Sequence, residues 1–227
     1  MTGAFALLGA ALGLGFGMYH RLLARHTRVV GFLEAELARS VTSLVAAGES
    51  EDVEFKASAR WDFDRDSVNR ELEHGVVRTI AGLQNHTGGS LLLGVDDAGI
   101  IRGLQRDYQT LRRSDRDGYE RFLTELVRTR LGGDVCPLVH VTFHRVGDHE
   151  ICRVIVEPSS RPVYIEDHGT YRFMLRTGNS TRELDVREAT EYIPRRFGTT
   201  AHNATGTKPR EQLSRSILQH PSSRGSL

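Results

Sequence analysis

Only two of the 227 residues are cysteine, Cys136 and Cys152. That excludes a disulfide scaffold and a cysteine-rich zinc site. Both stand in apolar segments and read as buried free thiols, which suits a reducing compartment. An excess of one charge is lacking too. Lys+Arg 30 against Asp+Glu 29 leaves a net +1, so no global basic field attracts nucleic acid, and any such binding has to come from a local patch. There is no HExxH and no Ser-His-Asp signature, and Gly88-Gly89 is not followed by the Lys-Ser/Thr of a Walker loop, so no motif supports ATP. No internal repeat is present, and the length suits one domain with appendages.

Charge is also missing at the amino terminus. Residues 1–19 carry no charged side chain, residues 4–19 are almost wholly apolar or glycine, and His20, Arg21, Arg25, His26 and Arg28 follow at once. Extended through Leu22 and Leu23, the run reaches the roughly 20 residues a helix needs to cross a bilayer. A secretory signal carries its charge before the apolar run and a small-x-small site after it, and neither is found. The sequence therefore predicts a transmembrane signal-anchor helix over residues 1–24. The positive flank places the rest of the chain on the cytoplasmic side of a single-pass membrane protein. Gly9, Gly13 and Gly17 share one helix face at a spacing that lets a second helix approach, so a homodimer through this face is expected. The alternative is a glycine-rich membrane helix with no specific partner.

Residues 25–48 read as a helical linker, because Val30, Leu33, Leu37, Val41 and Leu44 recur at spacings of three and four and Gly48 stands at the end. Further along, apolar periodicity predicts helices over residues 67–84, 119–131 and 185–193, the last stopped by Pro194. Strand-like segments occupy residues 53–57, 90–95, 100–104, 138–145, 149–157, 163–165 and 170–175, with residues 61–66 as a polar loop. This order implies an α+β domain over residues 49–196, a single mixed sheet with packed helices. Residues 197–227 are polar, with few large apolar side chains, and read as a disordered tail.

Carboxylates carry the first chemical signal. Glu49 and Glu54 flank the start of one strand segment, and Asp96-Asp97 ends another whose Leu91-Leu92-Leu93 run reads as central and buried. If the two strands are neighbours, Glu49, Glu54 and Asp97 could converge on Mg²⁺ or Mn²⁺, which prefer oxygen ligands. Such an ion would activate water and neutralise phosphate charge, with Lys56 holding the phosphate. The bland alternative is an ordinary Asp-Asp-Ala-Gly turn and a Glu54–Lys56 ion pair. Asn85-His-Thr-Gly88-Gly89 reads as a tight turn required by geometry, although its amides could also approach a phosphate. The second signal is the run from Arg172 to Arg182. Arg172, Arg176, Ser180, Thr181 and Arg182 make a local basic, hydroxyl-rich patch of the kind that grips phosphates without reading sequence. The competing reading is a salt-bridged surface around Glu183 and Asp185.

Three sets of residues together resemble the Schlafen-type AlbA-like domain, also described as a divergent AAA or DNA-binding domain. They are Glu49-Ser50-x-x-Val53-Glu54-Phe55-Lys56; Asn85-x-x-Gly88-Gly89-x-Leu91-Leu92-Leu93-Gly94-Val95-Asp96-Asp97-x-Gly99-x-Ile101-x-Gly103; and Tyr171-x-x-x-x-Arg176-x-Gly178-Asn179-Ser180-Thr181. The resemblance implies nucleic-acid binding, DNA or RNA, by a regulatory or binding module. For nuclease members it implies a divalent ion on two glutamates and an aspartate, here Glu49, Glu54 and Asp97, and cleavage of structured RNA as a Mg²⁺- or Mn²⁺-dependent endoribonuclease. Those members pair two such lobes and carry zinc ligands. This chain has one lobe, and Cys136 and Cys152 lack partners at zinc spacing. A membrane-tethered scaffold for a protein partner is the third reading.

Overall fold

The computed structural model describes residues 2–167 and 169–198, with the side chains of residues 2–8, 25 and 26 left out. The tail expected over residues 197–227 lies outside the described residues from 199 onward.

The centre is a four-stranded sheet in the order β1-β4-β6-β5, formed by β1 (Val53–Lys56), β4 (Gly89–Leu93), β6 (His149–Val156) and β5 (Val139–Val146). β1 runs parallel to β4, in the register Glu54↔Leu91, and β4 and β6 are antiparallel. β4 is buried along its whole length. Its unbroken Leu91-Leu92-Leu93 run serves two faces, because successive side chains point to opposite sides. Leu91 and Leu93 join the larger core with Val76, Val77 and Ile80 of α3 (Glu71–Asn85) and Tyr119, Leu123 and Val127 of α5 (Arg116–Leu131). Leu92 faces the other way, onto Val41 and Leu44 of α2 (Val41–Ala47), with Phe55 and Ile151.

A separate three-stranded sheet, β7 (Tyr164–Asp167), β8 (Thr170–Thr177) and β9 (Ser180–Glu183), covers the far side of α3. The single sheet predicted from sequence is thus divided. Asn85, fully buried at the end of α3, fastens the second sheet to that helix. Its side chain donates to the Val163 and Met174 carbonyls, each at 2.8 Å, and accepts from the Val163 amide. A third, two-stranded piece pairs β2 (Trp61–Asp62) with β3 (Ser67–Val68), where sequence suggests a loop over residues 61–66 and a helix from residue 67, so α3 begins only at Glu71. Residues 100–104 do not form a strand. Gly94 and Gly103 meet at close range with positive φ, leave one bridge, Val95↔Ile101, and pass into α4 (Gln105–Gln109). The Gly88-Gly89 turn answers to geometry. A Cβ on Gly89 would lie 2.3 Å from the Asp52 carbonyl oxygen, and the neighbouring amides of Gly88 and Ser90 bond the Leu83 and Asp52 carbonyls.

Two helices differ from expectation. α6 (Val186–Phe197) runs through Pro194 instead of stopping before it. Ala189, Tyr192, Ile193 and Phe197 pack on Phe173, Leu175 and Leu184, so burial outweighs the one backbone bond that proline removes. A reciprocal capping box between Asp185 and Glu188 starts the helix.

The amino-terminal prediction is overturned. α1 (Thr2–Ala38) is one long helix, but among the described residues no helix is long and apolar enough to cross a membrane. The apolar run, residues 4–19, is followed at once by His20 and Arg21. At 1.5 Å per residue it spans about 24 Å, against a hydrocarbon core of about 30 Å. A transmembrane anchor and a single-pass membrane location are therefore not supported. The expected glycine-face dimer is not supported either, because the close packing of Gly9, Gly13 and Gly17 was expected between membrane-spanning helices.

The carboxyl end of α1, expected to be a linker, is part of the domain. Arg153 of β6 is almost wholly buried and reaches the Glu36 carboxylate at 2.7 Å, the Glu36 and Arg39 carbonyls and the Ser90 hydroxyl. Ser90 in turn donates to Glu36 at 2.8 Å. Between α1 and α2 the chain turns at Ser40, whose hydroxyl caps α2 by accepting from the Ser43 amide. Removing one partner of such a buried pair strands the other charge. Arg153→Met should therefore lower unfolding free energy by roughly 3–5 kcal/mol, as read by urea denaturation; a loss under about 1 kcal/mol would mean that α1 is not held this way.

Candidate nucleic-acid interface

β8 explains where the predicted basic patch goes. Alternation sends Phe173 and Leu175 under α6, while Met174 enters the core beside α3. Arg172 and Arg176 share the face of Met174, at its two ends. Near Arg176 the loop leading into β1 closes over the strand, and the guanidinium is wholly buried. It donates to Glu54 Oε2 at 2.5 Å and to the carbonyls of Ser50, Glu51 and Val53. Arg176 is thus an internal cross-link between β8 and β1, and its assignment to a phosphate-binding surface is corrected. Thr181 turns inward as well. Its hydroxyl is buried without a partner among the described residues, and a Cβ on Gly82 of α3 would lie 2.6 Å from its methyl group. Gly82 is therefore what lets β9 settle on the helix.

The other patch residues do reach the surface. Arg182 is exposed and forms a two-pronged pair with Glu188, both contacts at 2.8 Å. Ser180 is exposed at the β8–β9 turn. Arg172 is part-exposed and pairs with Glu183 at 3.5 Å. Lys56 is part-exposed and tied to Glu54 at 2.5 Å and to the Phe55 carbonyl.

The predicted carboxylate triad is engaged elsewhere. Glu54 is buried, with one oxygen on Lys56 and the other on Arg176. Glu49 accepts from the Phe55 amide at 2.9 Å, which sets the chain's entry into β1. Asp97 is exposed at the tip of a turn that its neighbour Asp96 organises, by accepting from the Ala98 and Ile100 amides. Burial alone would raise the pKa of Asp96, but the Ile100 amide and the Arg102 guanidinium hold it below the ordinary carboxylate range. Among the described residues no group of three or more His, Cys, Asp or Glu side chains is gathered to hold a metal ion. As the chain is folded, Glu49, Glu54 and Asp97 do not fit Mg²⁺ or Mn²⁺, because both oxygens of Glu54 are already engaged, one by Lys56 and one by Arg176.

Sequence reasoning missed the cleft at the outer end of β8. Arg70, Glu71, Glu73, His74, Arg130, Asp167 and Arg172, with Val77 and Leu126, enclose about 710 Å³ between α3, α5, β7 and β8. An adjoining space of about 370 Å³ shares Arg70, Glu73, Leu126 and Arg130 and adds Phe122. Arg130 donates to His74 Nδ1 and to Asp167 Oδ1, each at 3.1 Å, while its buried Nε has no hydrogen-bond partner among the described residues. An imidazole that accepts at Nδ1 is the neutral tautomer carrying its proton on Nε2. Accordingly the His74 pKa lies below its ordinary value. Burial is the largest cause, Arg130 comes next, and Arg78 and Arg172 add to it, while Asp167 pulls the other way. The acid on this wall is partly spent outward, because Glu73 pairs with Arg60 at 2.8 Å. Arg60 is itself placed by buried Asp107, which accepts from the amides of Ala59, Arg60 and Trp61 and from the Ser58 and Tyr119 hydroxyls.

In sequence, Arg70 and His74 stand four apart at the head of α3, and Phe122, Leu126 and Arg130 recur every four on α5, so each set falls on one side of its helix. Which two faces meet is a property of the fold.

The family model described as Schlafen, AlbA_2 matches residues 49–185. No curated protein matches the chain. Among solved structures, the chain is similar to the DIP2311 protein from Corynebacterium diphtheriae at 23% identity and a TM-score of 0.47. That match covers 76% of this chain and 33% of the other, so the chain spans about a third of that protein's length.

Buried and exposed arginines of this one hairpin should separate in a stability series. Arg176→Met should cost roughly 3–5 kcal/mol by leaving Glu54 buried without its guanidinium. Arg182→Gln should leave the urea midpoint unchanged, since exposed pairs contribute little. Equal losses at the two positions would refute the distinction.

Proposed function

The chain belongs to the Schlafen AlbA_2 family, and on that premise we propose that it binds nucleic acid through phosphate contacts, without reading base sequence. The observation that supports this most directly is the exposed β8–β9 hairpin, which presents Arg182 and Ser180 at its end and Arg172 along its flank. Guanidinium groups and hydroxyls are the donors that phosphate oxygens accept from, and neither carries base information in such contacts. The acidic partners do not argue against the role. Glu183 and Glu188 are exposed, and solvent-exposed ion pairs contribute so little that a phosphate can replace the carboxylate at small cost.

The net charge of +1 means that attraction is local. Only the few phosphates that meet the rim release their counterions, so binding is weak to moderate and sensitive to salt. Lys56 extends the rim toward β1 but shares its charge with Glu54. No hydrolytic step is assigned, because Glu49, Glu54 and Asp97 are separately employed in holding the strands and the turn.

Fluorescence anisotropy of the full chain with labelled single-stranded and duplex DNA and RNA tests this reading. Affinity should fall linearly in log–log form with salt, and Arg172→Gln and Arg182→Gln should each reduce the slope by about 1 for every sequence tried. A response flat in salt, or an effect confined to one base sequence, would overturn it.

A further inference from the structure

We infer that the cleft between α3, α5, β7 and β8 is a phosphomonoester site, taking the terminal phosphate of a nucleic acid strand or of a free mononucleotide. This rests on the reading of the β8–β9 hairpin as phosphate-binding, with Arg172 common to the two, and adds to it an enclosed end. The rim hairpin would touch phosphates along a strand, whereas this cleft has walls on several sides.

Four observations converge. First, the donors come from three separate elements: His74 from α3 with Arg70 just before its first turn, Arg130 from α5 and Arg172 from β8. Oxyanion recognition needs donors converging from different directions on one centre, and here the tertiary structure supplies them. Second, the donors are not used up. Arg70 is exposed and forms no ion pair among the described residues. The buried Nε of Arg130 also lacks a partner among the described residues. Such an orphaned donor is what an oxyanion would satisfy. Third, the imidazole of His74 offers an N–H at Nε2, because Nδ1 is occupied by Arg130. Burial and the guanidinium groups of Arg130, Arg78 and Arg172 outweigh the pull of Asp167 on it. Fourth, size and polarity change along the opening. The arginine-lined part encloses about 710 Å³, and the adjoining part, toward Leu126 and Phe122, about 370 Å³. Each lies in the range of small-molecule pockets. The charged part suits a phosphate, and the apolar flank offers a sugar or base a surface.

The charged groups facing the site are Arg70, Glu71, Glu73, His74 and Arg78 from α3, Arg130 from α5, Asp167 from β7 and Arg172 from β8. A bound phosphate dianion enters among them and stabilises the imidazolium, so it moves His74 toward its ordinary pKa.

The experiment pairs nuclear magnetic resonance of the His74 ring with anisotropy, both on the full chain. Inorganic phosphate is the first probe, adenosine monophosphate the second, and matched oligonucleotides with 5′-phosphate or 5′-hydroxyl ends the third. Phosphate should shift the His74 ring resonances and raise its pKa. The 5′-phosphorylated strand should bind about tenfold tighter than its 5′-hydroxyl twin, the worth of one or two charge-assisted hydrogen bonds. Arg130→Met should abolish that difference and leave affinity for the 5′-hydroxyl strand intact. Should Arg130→Met unfold, Arg70→Gln on the exposed rim carries the same test. Competition by the mononucleotide assigns the free nucleotide as occupant, and preference for the phosphorylated strand without competition assigns a strand end. Equal binding of the two strands, with His74 unmoved by phosphate, overturns the site while the rim reading stands. If neither strand binds yet phosphate and mononucleotide move His74, the nucleic-acid reading fails and the site survives.

Discussion

Arg176 has no water to solvate it, and much of the domain follows from that. A guanidinium taken fully out of solvent requires a carboxylate and several further acceptors within reach. Glu54 and the carbonyls of Ser50, Glu51 and Val53 supply them. Meeting this requirement brings the end of β8 against the start of β1 and so sets the second sheet against the first. It also takes Glu54 away from metal chemistry and Arg176 away from phosphate. Because the strand's side chains alternate, burying one end of the 172–174–176 face leaves the other end, Arg172, to emerge beside α3 and α5.

How much of this was legible depends on range. The Leu91-Leu92-Leu93 run, the β5–β6 hairpin around Val146-Gly147-Asp148 and the Gly88-Gly89 turn are local statements, and the structure bears them out. So is the Glu54–Lys56 pair, two apart on one strand. What sequence could not settle is which of two identical residue types faces inward. Arg172 and Arg176 lie in equivalent strand positions, and only a loop 120 or so residues earlier in the chain buries one of them. The same holds for α6, where one proline argues for a stop and four apolar contacts argue for continuing. At the amino terminus, periodicity and hydropathy were read as an anchor followed by a linker. The buried Arg153–Glu36 contact that makes the end of α1 part of the domain joins residues far apart in sequence.

The two buried arginines, Arg153 and Arg176, act alike from opposite sides. Each spans a junction between elements that carry few apolar contacts with one another, α1 to β6 in one case and β1 to β8 in the other. A directional contact defines such a junction more narrowly than apolar packing does, because the fork of the guanidinium accepts few arrangements of its partners. The net gain in stability over an apolar pair can be small, yet the loss on breaking it is large. Exposed pairs such as Arg182–Glu188 obey the opposite rule, being cheap to break and therefore open to exchange. Both classes occur on one hairpin, and the contrast divides scaffold from surface without reference to any relative.

The same reasoning bears on charge balance at the cleft. Arginines and acids line it in similar number, so a count of charges predicts no field. Placement breaks the tie. Glu73 is drawn to Arg60, which Asp107 fixes through the loop before it, and Asp167 is bound to Arg130. At His74, burial and three guanidinium groups outweigh the pull of Asp167, so its pKa lies below the ordinary value. A site can therefore be electropositive inside a nearly neutral chain, provided its carboxylates are paired away from the opening. That is the condition under which a protein of net charge +1 can select a phosphate without attracting every polyanion.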